Sequence, residues 1–310
     1  MLKRLSNFSE HRVLDQLHKA CQEFGAHVFL KMRVADVIDI SKSQSRDVGT
    51  YGLMAHFDFV VADENYLPLF ALEFDGGGHD DRNDWKKNRL CNEAGLSLFR
   101  VNSQTLDRGL EEMSFLTYLV HFWFMAHQFE EMRNSGSIPP DEPFMMWSFI
   151  KPDAKHMFDS EYNFLAIAQQ KLVELNKQHR FLRTSLDLHK MGFVNFAKET
   201  WQFASVACFE IAGEIVYSQS RLDIEVSSEG SLADIPMRSM AIGDYVEGMA
   251  QMNLVENVRI FLEGGKHTLS SRQDIDQHIK GMLGAGFYFC RGTLHNALPS
   301  WELMRAWSKT

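Results

Sequence analysis

From Asn7 the apolar residues Val13, Leu14, Leu17, Ala20, Cys21 and Phe24 recur at helical spacing until Gly25. Glu10 stands three residues after Asn7, a capping pattern that predicts an amphipathic helix starting there. Val28, Leu30, Met32 and Val34 then alternate with other residues, as a strand does, and the polar run Ser41 to Tyr51 reads as a loop. Two further strands are expected, His56 to Ala62 and Leu67 to Asp75, the second running into Gly76, Gly77 and Gly78. A helical pattern returns from Asn83 to Ala94 and closes at Gly95, and Ser97 to Val101 is a short apolar strand. The predicted order is helix, three strands, helix, strand, with a further helix, Leu106 to Phe129, packed over them.

The stretch Asn134 to Pro143 holds three of the seven prolines among polar residues and marks a domain boundary. With 310 residues available, two domains are expected: residues 1–133, a linker at 134–159, and residues 160–310. In the second half Glu161 to Leu182, Pro236 to Met252 and Gln273 to Leu283 read as helices, and Thr200 to Glu225 as two strands meeting near Gly213. The expected fold class is α/β: a mixed sheet flanked by helices in the first domain, and a mixed α and β second domain whose motifs are silent on chemistry.

Composition narrows the function. Hydrophobic residues make up 45% and charged residues 24%, enough apolar material for a core and too much for a disordered chain. A net charge of -9 argues against coating nucleic acid or anionic membrane by bulk charge, so any polyanion must be held locally. Four scattered cysteines without a CxxC pair encode neither a zinc ribbon nor a disulfide framework, and no signal peptide is visible, which fits a cytoplasmic protein. The apolar run Phe115 to Phe129 is too short to span a bilayer and reads as a core helix, so no membrane association is expected.

The chemistry gathers between residues 58 and 100. Alternation along Leu67 to Asp75 puts Glu73 and Asp75 on one face, and Asp58 alternates with Phe57 and Phe59 in the strand before. A hairpin turn centred between residues 65 and 66 brings Asp58 opposite Glu73. Three crowded carboxylates repel one another unless a hard cation, a proton or a basic group offsets them, and Mg²⁺ or Mn²⁺ is the natural partner. The same crowding predicts that neutralising Asp58 stabilises the metal-free chain. The helix after the glycines carries Asp84, Lys87, Asn88 and Cys91 along one side, so a lysine can point back at the strand ends. The bland reading makes Asp58 and Asp75 turn formers and the helix charges solvated surface.

The segments Asp58-Phe-Val-Val, Leu72-Glu-Phe-Asp-Gly-Gly-Gly-His79, Asp84-Trp-Lys-Lys-Asn88 and Gly95-Leu-Ser-Leu-Phe-Arg100-Val resemble the PD-(D/E)XK nuclease superfamily. The match looks closest to domains related to very-short-patch-repair endonucleases and covers about residues 5–107. The resemblance implies a restriction-endonuclease-like fold and metal-dependent hydrolysis of phosphodiester bonds. It implies that Asp58 and Glu73 are metal ligands and Glu10 a supporting acid of the first helix. Asp75 stands where the superfamily usually has lysine, as in this branch, with His79 as an additional base or phosphate contact. Lys87 is placed to supply the missing positive charge, and Arg100 to pair with one of the acids. Catalytic candidates are therefore Asp58, Glu73, Asp75, His79 and Lys87, with Asp58, Glu73 and Asp75 holding the metal.

DNA is favoured over RNA because most proteins of the superfamily act on it, and a prokaryotic repair or antiviral defence role follows by the same analogy. The alternative is a catalytically inactive nuclease-fold module that binds nucleic acid or scaffolds. A homo-oligomer or a regulatory protein partner is a further expectation for the second domain. Between Lys151 and Lys198 eight basic residues face five acids, and Lys177, Arg180 and Arg183 recur every three residues as a possible nucleic-acid contact.

Overall fold

The computed structural model describes residues 6–75, 81–102, 109–110, 113–150, 154–156, 159–181, 188–196, 200–225 and 238–293. The chain is α/β and divides into two compact units, one ending at Phe144, the other covering Met145–Glu225 and the residues from Ser239 on. The division falls inside the stretch 134–159 expected as a linker. Part of that stretch is core, since Phe144 is fully buried with its ring edge-on to Phe122 and Phe129.

The first unit opens with α1 (Phe8–Gln22), started by the reciprocal Asn7–Glu10 capping box. A four-stranded sheet follows in the order β1 (His27–Leu30), β2 (Phe59–Ala62), β3 (Pro68–Asp75), β4 (Ser97–Asn102). The first three strands are antiparallel and β4 runs parallel to β3, the crossover being α4 (Asp81–Ala94). On one face Val60, Ala71 and Leu98 pack with Leu90 and Cys91 of α4. On the other, Phe70 meets Phe99, Trp123 and Phe124.

Three local expectations give way here. The strand expected through Val34 stops at Leu30, because Lys31 takes a left-handed backbone (φ 54) and Val34 begins a short helix, α2 (Val34–Val37). The expected loop Ser41 to Tyr51 is a 3-10 turn, Ile40–Lys42, and then α3 (Arg46–Met54). Gly49 and Gly52 lie inside α3, and their missing side chains let the helix approach its neighbours closely. A Cβ on Gly52 would lie 2.9 Å from Ile40 Cγ2 and 3.1 Å from Leu90 Cδ1. The helix expected from Leu106 starts later. Two short paired strands, β5 (Gly109–Leu110) and β6 (Met113–Ser114), precede α5 (Phe115–Asn134), capped by Ser114. α5 buries most of its circumference, which explains its apolar run. Among the described residues no helix is long and apolar enough to cross a membrane.

The second unit holds α6 (Phe164–His179), β7 (His189–Phe196), β8 (Thr200–Ile211), β9 (Glu214–Glu225), α7 (Arg238–Leu262), β10 (Leu269–Ser270), α8 (Arg272–Gly284) and β11 (Tyr288–Thr293). Its antiparallel sheet has the order β10-β9-β8-β7-β11. β8 and β9 meet in the two-residue turn Ala212-Gly213, both with positive φ (53 and 85), the geometry that a right-twisted hairpin favours. α6 and α7 cover one sheet face and α8 the other.

Close packing of α7 on α6 is testable at Gly248, where a Cβ would lie 2.4 Å from Phe164 Cδ2. Gly248→Ala is expected to lower unfolding free energy by about 1–3 kcal/mol through overpacking. Gly281→Ala, on an exposed turn of α8 with nothing near the added atom, is expected to raise it by about 0.5–1 kcal/mol. Urea denaturation reads both, and equal shifts of the same sign would contradict the packing.

Candidate functional site

The β2–β3 ladder pairs Phe59 with Leu72, Val60 with Ala71 and Val61 with Phe70 before a bulge at Ala62. This register sets Asp58, the residue just before β2, across from Glu73, as a turn centred between residues 65 and 66 requires. β4 adds Arg100 beside Glu73 from the other flank. All three positions belong to the sheet face covered by α4, because partners in a ladder share a face. The strand ends and the helix thus enclose a small charged space.

Lys87 on α4 reaches back into it. Its Nζ lies 2.8 Å from Glu73 Oε2 and donates to the His56 carbonyl at 2.9 Å, and it is almost fully buried. Glu73 is itself only 8% exposed, and its second oxygen, Oε1, has no hydrogen-bond partner among the described residues. Asp58 Oδ2 accepts from the Phe74 amide at 2.9 Å, and Asp58 Oδ1 is ion-paired with Lys31. Lys31 bridges onward to Glu10 Oε1 at 2.9 Å, so the first helix is tied to the strand ends. Arg100 donates to Asn88 at 2.9 Å and lies 3.4 Å from Asp84. Its ion pair is therefore with Asp84 on α4.

Burial pushes the Glu73 carboxyl up to about 7; Lys87 pulls against this, and the nearby Asp58 charge adds to it. Partial burial disfavours charge on Lys31, but its bonds to Asp58 and Glu10 outweigh that and raise its pKa. Each lysine therefore serves a different acid: Lys87 holds Glu73, and Lys31 holds Asp58 with Glu10.

The structure thus brings together Glu10, Asp58, Glu73, Lys87 and Arg100. Asp75 ends β3 opposite Asn102, and its side chain lies outside the described residues, as does His79 altogether. In the second unit Lys177 lies in the last turn of α6 and Arg180 caps it, both exposed, where cations complement the helix end. Arg183 lies outside the described residues. Sequence reasoning missed Lys31, although a lone charge in the apolar run His-Val-Phe-Leu-Lys-Met was a signal for it.

The donor set suits a hard divalent cation. Two carboxylates on adjacent strand ends, one with an orphaned buried oxygen, offer oxygen ligands of the kind Mg²⁺ and Mn²⁺ take. Among the described residues no third histidine, cysteine or carboxylate completes a close ligand group with Asp58 and Glu73.

A family model described as a protein of unknown function (DUF2726) matches residues 2–112. The matched span contains Glu10, Lys31, Asp58, Glu73, Lys87 and Arg100 and ends before α5. No curated protein and no solved structure matches the chain.

Two stability effects follow from the charges. Glu73 has a folded pKa near 7 against an ordinary 4.5, so the folded state holds this proton more tightly than the unfolded chain. Its contribution is full below pH about 4.5, is lost as pH rises to about 7, and amounts to roughly 3 kcal/mol over that window. Glu73→Gln should flatten that part of the metal-free stability profile, and an unchanged slope would place the titration elsewhere. Asp58→Asn, expected from carboxylate crowding to stabilise, should instead destabilise by about 1–2 kcal/mol, because Lys31 and the Phe74 amide already neutralise the charge. A raised urea midpoint would restore repulsion as the dominant effect.

Proposed function

We propose that the first unit is a metal-dependent nuclease of the PD-(D/E)XK type that hydrolyses phosphodiester bonds of nucleic acid, DNA before RNA. The observation that carries this reading is the juxtaposition of Asp58 and Glu73, with Glu73 Oε1 unpartnered among the described residues and Oε2 fixed by Lys87. Asp58 and Glu73 would hold Mg²⁺ or Mn²⁺, which supplies Lewis acidity and neutralises charge on the reacting phosphate. Asp75 is proposed as a further oxygen donor, and His79 as a base or phosphate contact.

Lys87 takes a role different from the substrate-facing one its sequence position suggests. Two of its three N–H bonds go to Glu73 and the His56 carbonyl, and burial closes it to solvent, so it orients Glu73. Glu10 supports Asp58 through Lys31, and Arg100 fixes α4 to β4 through Asn88 and Asp84. A cytoplasmic setting is proposed with this reading, in keeping with the buried Cys21, Cys91 and Cys208, none of which is in a disulfide among the described residues. Lys177, Arg180 and Arg183 are proposed as a nucleic-acid contact, and a repair or antiviral role and a homo-oligomeric or regulatory partner remain proposals of the same kind.

The second reading, an inactive nuclease-fold binding or scaffolding module, is favoured by one observation: Lys31 and Lys87 already balance Asp58 and Glu73 without a metal. Incubating the full chain with plasmid, single-stranded DNA and RNA in Mg²⁺ or Mn²⁺ separates the two. Cleavage that EDTA stops, and that Asp58→Asn or Glu73→Gln lowers by about 100-fold or more without loss of helicity, is the expected result. Activity surviving both substitutions and EDTA would overturn the assignment, and a wild-type chain that binds nucleic acid without cutting it would favour the module.

A further inference from the structure

The two lysines of the site differ in how they are held. Lys87 is locked under α4, its side chain 9% exposed, whereas the Lys31 side chain is 38% exposed, leaving it a way out to solvent. Both acids that Lys31 bridges are anchored independently of it through their other oxygens. Asp58 Oδ2 accepts from the Phe74 amide at 2.9 Å, and Glu10 Oε2 accepts from the Asn7 amide at 2.9 Å. The Lys31 backbone is pinned as well, in its left-handed conformation, by the hydrogen bond its amide N–H donates to the Asp58 carbonyl at 2.9 Å. If the ammonium leaves, Asp58 Oδ1 and Glu10 Oε1 stay in place, and Glu73, near enough for the Asp58 charge to act on it, has an Oε1 with no hydrogen-bond partner among the described residues.

We propose that Lys31 is an internal stand-in for the metal ion: its ammonium neutralises Asp58 and Glu10 in the metal-free protein and is exchanged for the divalent cation on loading. The inference rests on the reading of the first unit as a metal-dependent nuclease and adds a positioning residue to it. The exchange is cation for cation. The side chain swings out still protonated, its hydrogen bonds to Asp58 and Glu10 are given up, no covalent bond is made or broken, and Asp58 Oδ1 is released for the ion that Asp58 and Glu73 would hold. The stand-in lowers the repulsion that empty acidic sites carry, at the expense of apparent metal affinity.

Amine acylation followed by peptide mass spectrometry tests the exchange on the wild-type full chain. With saturating Mn²⁺, labelling of Lys31 should rise by about threefold or more while buried Lys87 stays protected. Calorimetric Mn²⁺ titration supplies the second arm: Lys31→Met should bind about fivefold or more tightly than wild type, and Lys31→Arg, which keeps the cation, should not. If wild type binds Mn²⁺ but Lys31 labelling is unmoved and Lys31→Met binds no better, the stand-in is overturned and the metal reading survives. If neither wild type nor Lys31→Met binds Mn²⁺, the metal reading itself fails.

Discussion

A carboxylate that water barely reaches must carry a proton or a cation, and Glu73 has Lys87. The pair sets much of the geometry around it. To bring its ammonium there, α4 must cross the sheet face carrying Val60, Ala71 and Leu98, and Leu90 and Cys91 of the same helix close that face. The pair is not obviously stabilising, since desolvating two charges offsets most of their attraction. At the strand ends, beside an apolar face, the pair leaves one Glu73 oxygen without a hydrogen-bond partner among the described residues. The same constraint reappears one strand over, where Asp58 recruits Lys31 and, through it, the first helix.

Much of this was legible from local pattern. The capping box, the hairpin register that puts Asp58 across from Glu73, and the helix bearing Lys87 follow from periodicities of two and 3.6 and from short-range turn chemistry. What failed to show depended on distant residues. α3 was hidden because Ser41 to Tyr51 is a polar run, and the close approach of Ile40 and Leu90 at its glycines is not visible in local pattern. Lys31 was hidden because alternation continues past it, while the backbone turns over at that residue and aims the side chain at acids 21 and 27 positions away. In the second unit the β8–β9 hairpin announced itself at Gly213, but β7 and β11 pair across roughly a hundred residues, and β10 is two residues long.

The two units contribute differently to the account. Among the described residues the first concentrates Glu10, Asp58, Glu73 and Asp84 with Lys31, Lys87 and Arg100 around one end of its four-stranded sheet. In the second, Lys177 and Arg180 complement the exposed end of α6, and Lys190 of β7 pairs with the buried Glu247 of α7 at 2.8 Å. The DUF2726 match, residues 2–112, lies within the first unit and contains every one of the charged residues just named for that unit. With a net charge of -9, a polyanion would have to be held by local cations rather than by bulk charge.

The central claim is that Asp58 and Glu73 together form a divalent-cation site. Calorimetric titration of Mn²⁺ into wild type and into Glu73→Gln, at a pH above 7 where the carboxyl is ionised, tests it without reference to any substrate. The account predicts a saturable isotherm for wild type that weakens by at least about tenfold in the variant while the fold is retained. Identical isotherms for the two proteins would contradict it.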